Sequence, residues 1–159
     1  MILLNFKTPI KGGSKVDGHA DWIHLDSFQL GVGRSISVQS GGTDRNASDA
    51  SFSEASVSKS TDIASADLFA QATYGKSLGE ATLHFLQTGG AGKENQVFLE
   101  IVLYDVIISS YSLASGGDRP SESFSLNFTK ISYQYNAFNG DKVTTGTAKK
   151  FDLMTNKTF

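Results

Sequence analysis

The sequence of 159 residues predicts a mainly β fold, an antiparallel barrel or sandwich with one short flanking helix and extended loops. Three observations predict it. About seven or eight segments alternate apolar and polar residues or are rich in β-branched and aromatic residues. Turns that contain glycine separate these segments. A single segment, residues 65–77, combines the apolar spacing of a helix with start and stop signals.

The predicted strands follow one another along the chain with one helix among them. The candidate strands are residues 2–6, 21–33, 51–60, 78–89, 96–112 and 121–136, and one or two more short strands are predicted in the tail, residues 141–159. In the helical segment, Ser65 is the predicted N-cap, Asp67 lies in the first turn and Gly75 follows the last turn. Leu68, Phe69 and Ala72 form its apolar stripe, which predicts that the helix packs on a sheet.

One predicted loop, residues 39–51, is long and polar. It contains a Gly-Gly pair and no apolar residue larger than alanine, which indicates a long loop or the tip of a hairpin. Loops of this length in a small domain are usually disordered or functional.

Two of the predicted strands change the face that carries their apolar residues. Ile23 and Leu25 lie on one face of the first strand and Phe28 on the other. The strand over 121–136 repeats the change between Phe124 and Tyr133. Either a bulge turns each strand over, or half of it packs on the core and half meets a neighbouring subunit. Both interpretations predict strands that serve two surfaces, as self-assembling β proteins require.

Composition excludes several functional classes. The length predicts one domain, residues 1–159, that can bury a core without cross-links, and the absence of cysteine rules out disulfides and thiolate metal sites. A net charge of −2 without a run of basic residues argues against nucleic-acid binding. The opening MILLNF lacks the features of a signal peptide, and no apolar run is long enough for a membrane helix. We therefore expect neither an export signal nor membrane insertion.

No pattern of residues predicts catalysis. His19, Asp21 and His24 have a spacing that suggests a metal site, but alternation in a strand would point His24 away from the other two. The sequence lacks a nucleophile elbow, and its glycine-rich segments lack the lysine of a phosphate-binding loop. We expect no catalytic residue, no cofactor and no metal site.

Several segments resemble the Hcp (haemolysin-coregulated protein) family of type VI secretion systems. They are IKGGSKVDGHADWIHLDSFQLGVG near the start, IASADLFAQATYGK at the helix, FLEIVLYDVIISSYSLASGGDRPSESFSLNFTKISYQY, and KKFDLMTNK near the end. The resemblance implies an antiparallel β-barrel with one flanking helix, similar to a phage tail tube. It further implies a structural, non-enzymatic subunit of hexameric rings that stack into the inner tube and carry small effectors. The implied partners are the sheath, the spike and effectors, and the protein would be cytoplasmic before firing and secreted afterwards.

The resemblance also suggests roles for particular residues. Ser27 and Gln29, opposite Phe28, are candidates for the ring lumen and for contact with effectors. Arg45 and Asp49 in the 39–51 loop are candidates for contact with a neighbouring subunit or the next ring.

Three residues around the 116–122 turn are further candidates for contact between rings: Asp118, Arg119 and Glu122.

An alternative from another class is a monomeric β-sandwich that binds a glycan or a peptide. Trp22, Tyr104, Tyr133 and Tyr135 could supply its aromatic platform. Their positions in predicted strands favour burial instead, which argues against this alternative. A hydrolase is a third possibility, without any assembled site.

Overall fold

A computed structural model of the chain describes residues 1–38, 40–42, 45–89, 95–140 and 142–159. These ranges contain fifteen strands and one helix. The strands are β1 (Ile2–Phe6), β2 (Ile23–Leu25), β3 (Ser27–Gln29), β4 (Val32–Gly33), β5 (Ile36–Val38), β6 (Arg45–Ala47), β7 (Ser51–Phe52), β8 (Ala55–Ser60), β9 (Ala81–Gln87), β10 (Gln96–Tyr104), β11 (Ile107–Ala114), β12 (Ser121–Asn127), β13 (Lys130–Asn139), β14 (Lys142–Thr145) and β15 (Lys149–Asp152), and the helix is α1 (Ser65–Tyr74).

The strands form two main antiparallel sheets. The larger sheet has seven strands in the order β14-β13-β10-β9-β1-β2, with β15 also paired to β13. The smaller sheet has four strands in the order β11-β12-β8-β3. Two short ladders, β4 with β7 and β5 with β6, lie between β3 and β8 along the chain. The predicted mainly β, antiparallel fold with one helix is therefore confirmed, although the strands are shorter and more numerous than expected.

One hydrophobic core lies between the two sheets. The larger sheet contributes Leu4, Leu83 and Ile101 among others, and the smaller sheet contributes Val57, Phe124 and Leu126. In β8 and β12 the buried residues alternate with more exposed ones, because successive side chains of a strand point to opposite faces. Each sheet therefore has an inner face toward the core and an outer face away from it.

The two changes of apolar face occur where the chain passes from one sheet to the other. Between β2 and β3 the chain leaves the larger sheet at Asp26, whose backbone N–H donates to Ser58 O. Between β12 and β13 it returns to the larger sheet through Phe128 and Thr129. Residues on both sides of each passage point into the same core. The interpretation as a bulge was wrong, because the predicted strand 21–33 is three strands, β2 to β4, and 121–136 contains β12 and β13, which lie in different sheets. Contact of half of each strand with a neighbouring subunit stays a prediction.

A third passage divides the long predicted strand over 96–112. Asp105 separates β10 from β11 and has a φ of 55°, a left-handed conformation that interrupts an extended strand. The next residue, Val106, is fully buried, so the turn stays anchored to the core. Strands β10 and β11 consequently belong to different sheets.

The helix begins differently from the prediction. Its N-cap position is Ala64, and Ser65 is the first helical residue. The Ser65 hydroxyl accepts a hydrogen bond from the Asp62 backbone N–H, and the Asp62 carboxylate accepts one from the Ala64 N–H. Leu68 is fully buried, whereas Phe69 is 55% exposed and its ring contacts Tyr111 edge-on at 5.8 Å. The apolar stripe is thus split between Leu68 in the core and Phe69 against the Tyr111 side chain of β11.

The chain between β3 and β8 forms an exposed hairpin arm, residues 32–52. The β5–β6 ladder pairs Ile36 with Ala47 and Val38 with Arg45, so the described part of the predicted 39–51 loop belongs to a hairpin. Residues 39, 43 and 44 lie outside the described residues. Val32, Ile36 and Val38 are exposed on this arm.

Residues 7–22 connect β1 with β2, and the segment 11–22 of this connection folds back on itself. The Gly12 N–H donates to Asp21 O, and the Ser14 N–H donates to Trp22 O.

Within the described ranges, no helix is long and apolar enough to span a bilayer.

We predict that Gly12→Ala lowers the free energy of unfolding by about 1–3 kcal/mol, because an added methyl group overpacks this turn. A Cβ at Gly12 would lie 2.2 Å from Trp22 O, an atom of the backbone that cannot swing away. The matched control is Gly13→Ala, because a Cβ at Gly13 meets nothing within 4 Å. Urea unfolding of both variants checks the prediction, and equal effects would contradict it.

Candidate functional site

Serine is the most frequent residue on the outer face of the smaller sheet. We call this outer face the hydroxyl face and define it by the outward residues Ser27, Gln29, Ser56, Ser58, Ser60, Ser110, Ser112, Ser121, Ser123 and Ser125. Ile107, Ala114 and Asn127 are the other outward positions of β11 and β12 and lie at the ends of this face. The strand register aligns the serines and Gln29 in rows across the sheet. One row runs Ser27–Ser58–Ser123–Ser112, and the next runs Gln29–Ser56–Ser125–Ser110.

Hydrogen bonds join neighbours within these rows. The Ser27 and Ser58 hydroxyls are 2.5 Å apart, and those of Ser112 and Ser123 are 2.6 Å apart. At the end of the face, the Glu54 carboxylate accepts hydrogen bonds from Ser109 and Asn127. No outward position within the four described strands carries a charged side chain, so the face is uncharged and, apart from Ile107 and Ala114 of β11, polar.

Local stability does not explain this choice of residues. Strands favour β-branched and aromatic side chains, and threonine would offer the same hydroxyl with better β propensity. Serine is smaller and leaves a shallow surface without protruding groups. The regular repetition of serine therefore suits a surface on which other molecules must lie or slide without strong attachment.

Both residues predicted for the lumen lie on this face. Ser27 and Gln29 are exposed on β3, the edge strand of the sheet, while Phe28 between them packs toward the core. The rest of the face, on β8, β11 and β12, was not predicted from the sequence. The alternating serines of ASVSKS and SESFSLN carried that signal, because every second residue of a strand shares a face.

The interface candidates of the arm are exposed. Arg45 begins β6 at the far end of the arm, and Asp49 follows this strand. Nearby, the Arg34 Nε donates to Ser48 O at 2.9 Å and joins the two sides of the arm. The arm thus presents charged groups beside its exposed Ile36 and Val38.

The turn between β11 and β12 holds the remaining candidates. Asp118 and Arg119 are exposed in this turn. The prediction that Glu122 contacts another ring was wrong. Its side chain is 2% exposed and points into the subunit, so it is not available for such a contact. Its strand position places it opposite Leu113, on the inner side of the smaller sheet.

A buried ionic network explains why Glu122 lies inside. Lys59, 1% exposed, donates to the Glu122 carboxylate at 2.6 Å and to the Asp62 carboxylate at 2.7 Å. Ser65 of α1 and Tyr111 of β11 also donate to Glu122. Burial and the hydrogen bond to this carboxylate raise the pKa of Tyr111 to about 12. The network ties the helix to the back of the hydroxyl face.

The tyrosines of β13 also depart from expectation. Tyr133 is 47% exposed and Tyr135 is 57% exposed, although the sequence favoured burial for both. Tyr133 borders an open apolar hollow of about 480 Å³, together with Leu30, Val32 and Phe52. The hollow lies beside the base of the arm.

The histidines do not form the arrangement considered from the sequence. His24 is exposed on β2, whereas His19 is buried and contacts His84 of β9. The described ranges hold no cluster of three or more side chains suited to a metal ion.

Comparison with protein families decides the relationship. The profile of the family described as type VI secretion system effector, Hcp, matches residues 3–135. The chain belongs to the Hcp family. No relative was found among the curated proteins.

Solved structures agree with membership of the Hcp family. A type six secretion system protein is 26% identical, with a TM-score of 0.89 over 99% of this chain and 98% of its own. Hcp1 from Salmonella typhimurium is 20% identical, with a TM-score of 0.76 over 99% and 97%. The cap that terminates the tube of the anti-feeding prophage shares the fold at 7% identity, with a TM-score of 0.55 over 84% and 87%. The expected likeness to phage-type tubes is confirmed at the level of the fold.

We predict that Lys59→Met lowers the free energy of unfolding by about 3–5 kcal/mol, since it leaves the Glu122 carboxylate buried without its cation. In the control Lys7→Met, the lost partner is exposed Glu80 at 3.8 Å, and the expected change is below about 1 kcal/mol. Urea unfolding, with all variants in the same assembly state, measures both. If Lys59→Met and Lys7→Met lowered the free energy of unfolding by similar small amounts, the buried network would contribute little to stability.

Proposed function

We propose that this chain is a single-domain structural subunit of the inner tube of a type VI secretion system. In this proposal, six copies form a ring, rings stack into a tube inside a contractile sheath behind a spike, and the tube is ejected. Small effectors travel in the lumen. The protein acts as a scaffold rather than as an enzyme. It is cytoplasmic before firing and leaves the cell with the tube.

The observation that carries this proposal is the hydroxyl face, on a chain of the Hcp family. A tube that conducts varied effectors needs an inner surface that is wetted but does not hold any of them tightly. A surface of uncharged hydroxyls meets that need, because it exchanges hydrogen bonds with water and protein at little net free energy. The hydroxyl face is therefore assigned to the lumen, with Ser27 and Gln29 near its edge.

The edges of the smaller sheet favour a ring. Strands β3 and β11 end the sheet on opposite sides and have no further strand partner in the described chain. Unpaired strand edges invite pairing with another chain. A head-to-tail contact between opposite edges of identical subunits closes into a ring when the rotation permits. The hydroxyl faces would then continue one another around the lumen.

Two surfaces remain for contacts with other subunits. The arm, residues 32–52, carries Arg45 and Asp49 next to exposed apolar side chains, a combination typical of interfaces. We assign it to the neighbouring subunit or the next ring. The turn with Asp118 and Arg119 is a second contact between rings, now without Glu122.

A second candidate function is a monomeric module that binds a peptide. The open hollow beside Tyr133, with its apolar lining, favours it. The two candidates differ in assembly, because the ring requires several copies and the module needs one.

Solution mass measured by light scattering, with negative-stain images of the same sample, tests the proposal. We expect six times the subunit mass of 17.0 kDa and particles with an open centre. A monomer over a wide range of concentrations would contradict the ring and favour the peptide-binding module.

We also predict that Gln29→Arg leaves the ring intact and weakens the retention of a small effector from the same secretion system. The long cation interrupts the uncharged lumen and adds a repulsive or obstructing group there. Gln87→Arg is the matched control, because Gln87 is an exposed glutamine at the end of β9 in the other sheet. Co-purification of the effector with each ring measures retention. Loss of the ring in Gln29→Arg alone would place Gln29 at a subunit contact instead.

A further inference from the structure

The outer face of the larger sheet carries a chain of hydrogen bonds that links the 11–22 segment to two central strands. His19 Nε2 lies 2.7 Å from His84 Nδ1, and His84 Nε2 lies 2.7 Å from Glu100 Oε2. His84 belongs to β9 and Glu100 to the adjacent β10, where they are register partners. At the other end, His19 Nδ1 is 3.2 Å from Asp17 O.

The single tryptophan of the chain covers this cluster. The Trp22 ring lies 4.7 Å from the His19 ring and 4.8 Å from the His84 ring. His19 is buried although it lies in a connecting segment. Beneath the cluster, Leu3 of β1 is fully buried opposite His84, on the face away from the main core. The rings of His19 and Trp22 therefore hold the segment against the sheet.

The three contacts limit how many protons the cluster can hold. Each contact needs one proton between its two heavy atoms. With no proton there is no donor, and with two protons there is no acceptor, so the hydrogen bond is lost in both cases. Two neutral imidazoles beside an ionised Glu100 supply two protons, which is enough for both 2.7 Å contacts. A third proton fills the contact to Asp17 O. A fourth proton, if it goes to the second imidazole, puts two hydrogens between His19 and His84.

Acid therefore acts against the contact that joins the segment to the sheet. With both imidazoles protonated, two N–H groups face each other and two positive charges adjoin a single carboxylate. If Glu100 takes the fourth proton instead, the charge that compensates His84 is lost. Whether the fourth proton binds an imidazole or Glu100, the attachment of the 11–22 segment to the sheet becomes weaker.

We propose that His19, His84 and Glu100 form an acid-sensitive clasp that holds the 11–22 segment on the outer face of the larger sheet and releases it when the cluster becomes fully protonated. The clasp depends on the contacts within one subunit and not on the proposed assembly. Release would uncover Trp22 and the apolar side chain of Leu3.

The surroundings of His84 support this direction. Burial lowers the pKa of His84, and the hydrogen bond and charge of Glu100 oppose that effect only in part. The open segment binds protons more readily than the clasped one, so clasping weakens as the pH falls below the ordinary histidine value of 6.5. Well above that value, His84 is neutral in both forms and its protonation no longer opposes clasping.

Among the groups around the cluster, the 11–22 segment contributes His19 and, at exposed positions, Lys11, Lys15, Asp17 and Asp21. Strand β10 contributes Glu100, whose register partner on β13 is the uncharged Gln134, and β1 contributes apolar Leu3. His24 of β2 is the register partner of Leu3 on the side away from His84 and is exposed. Along β10, burial followed by the charges of Glu80 and Glu100 raises the pKa of Tyr104, which therefore stays neutral in acid.

Acrylamide quenching of Trp22 fluorescence tests the clasp, since one tryptophan reports the whole signal. We expect the quenching constant of the wild type to rise as the pH falls below the ordinary histidine value of 6.5, while far-UV circular dichroism stays native. His84→Phe keeps a ring against Trp22 but cannot titrate, so the rise should disappear. His24→Gln removes an exposed histidine from a nearby strand and should leave the rise unchanged.

Glu100→Gln provides an independent variant. It keeps an oxygen that accepts from His84 but removes the charge that compensates a proton, so the transition should move to higher pH. Three results would overturn the clasp: no change of Trp22 accessibility in the wild type, the same rise in His84→Phe, or an unmoved transition in Glu100→Gln. Light scattering at each pH separates release of the segment from dissociation of an assembly, and a rise that follows dissociation alike in the wild type and His84→Phe also contradicts the proposal.

Discussion

One constraint shapes the subunit: two sheets must enclose a single core while one chain runs back and forth between them. The chain passes between the sheets near Asp26, Asp105 and Thr129, and residues on both sides of each passage stay directed inward. A strand that kept its alternation through such a passage would turn its apolar residues outward. The shift by one residue at each passage is therefore a requirement of the fold.

Because the inner faces supply the core, the two outer faces are free to differ. The smaller sheet carries an uncharged hydroxyl face, and the larger sheet carries a cluster of aromatic and titratable groups beneath a folded connection. Between the helix and the smaller sheet, Lys59 and Glu122 form a buried pair that fixes their relative position. Removing one partner of a buried ion pair is strongly destabilising, so the pairing of Lys59 with Glu122 restricts how β8, β12 and the helix pack together.

The sequence predicted the types of secondary-structure elements better than the way in which the chain connects them between the two sheets. Strand β1 and the helical segment were predicted from local patterns, because alternation and helix signals need only neighbouring residues. The passage between sheets at Asp26 was not predictable, because a bulge or a subunit contact would produce the same change of apolar face between Leu25 and Phe28. Glu122 was misplaced for a related reason: a glutamate after a polar turn resembles a solvated charge, and only the fold brings Lys59 next to it. The pairing of His19 with His84 likewise joins residues far apart in the chain.

The central claim is that the hydroxyl face lines a channel formed by several copies of this chain. A cryo-electron microscopy map of the assembled particle tests it most directly, since it shows which face of the subunit meets the channel. The account predicts six subunits around an open channel, with Ser58 and Ser123 of each directed into it. A map in which these serines lie on the outside of the particle, or are buried against a neighbouring subunit, would contradict the account.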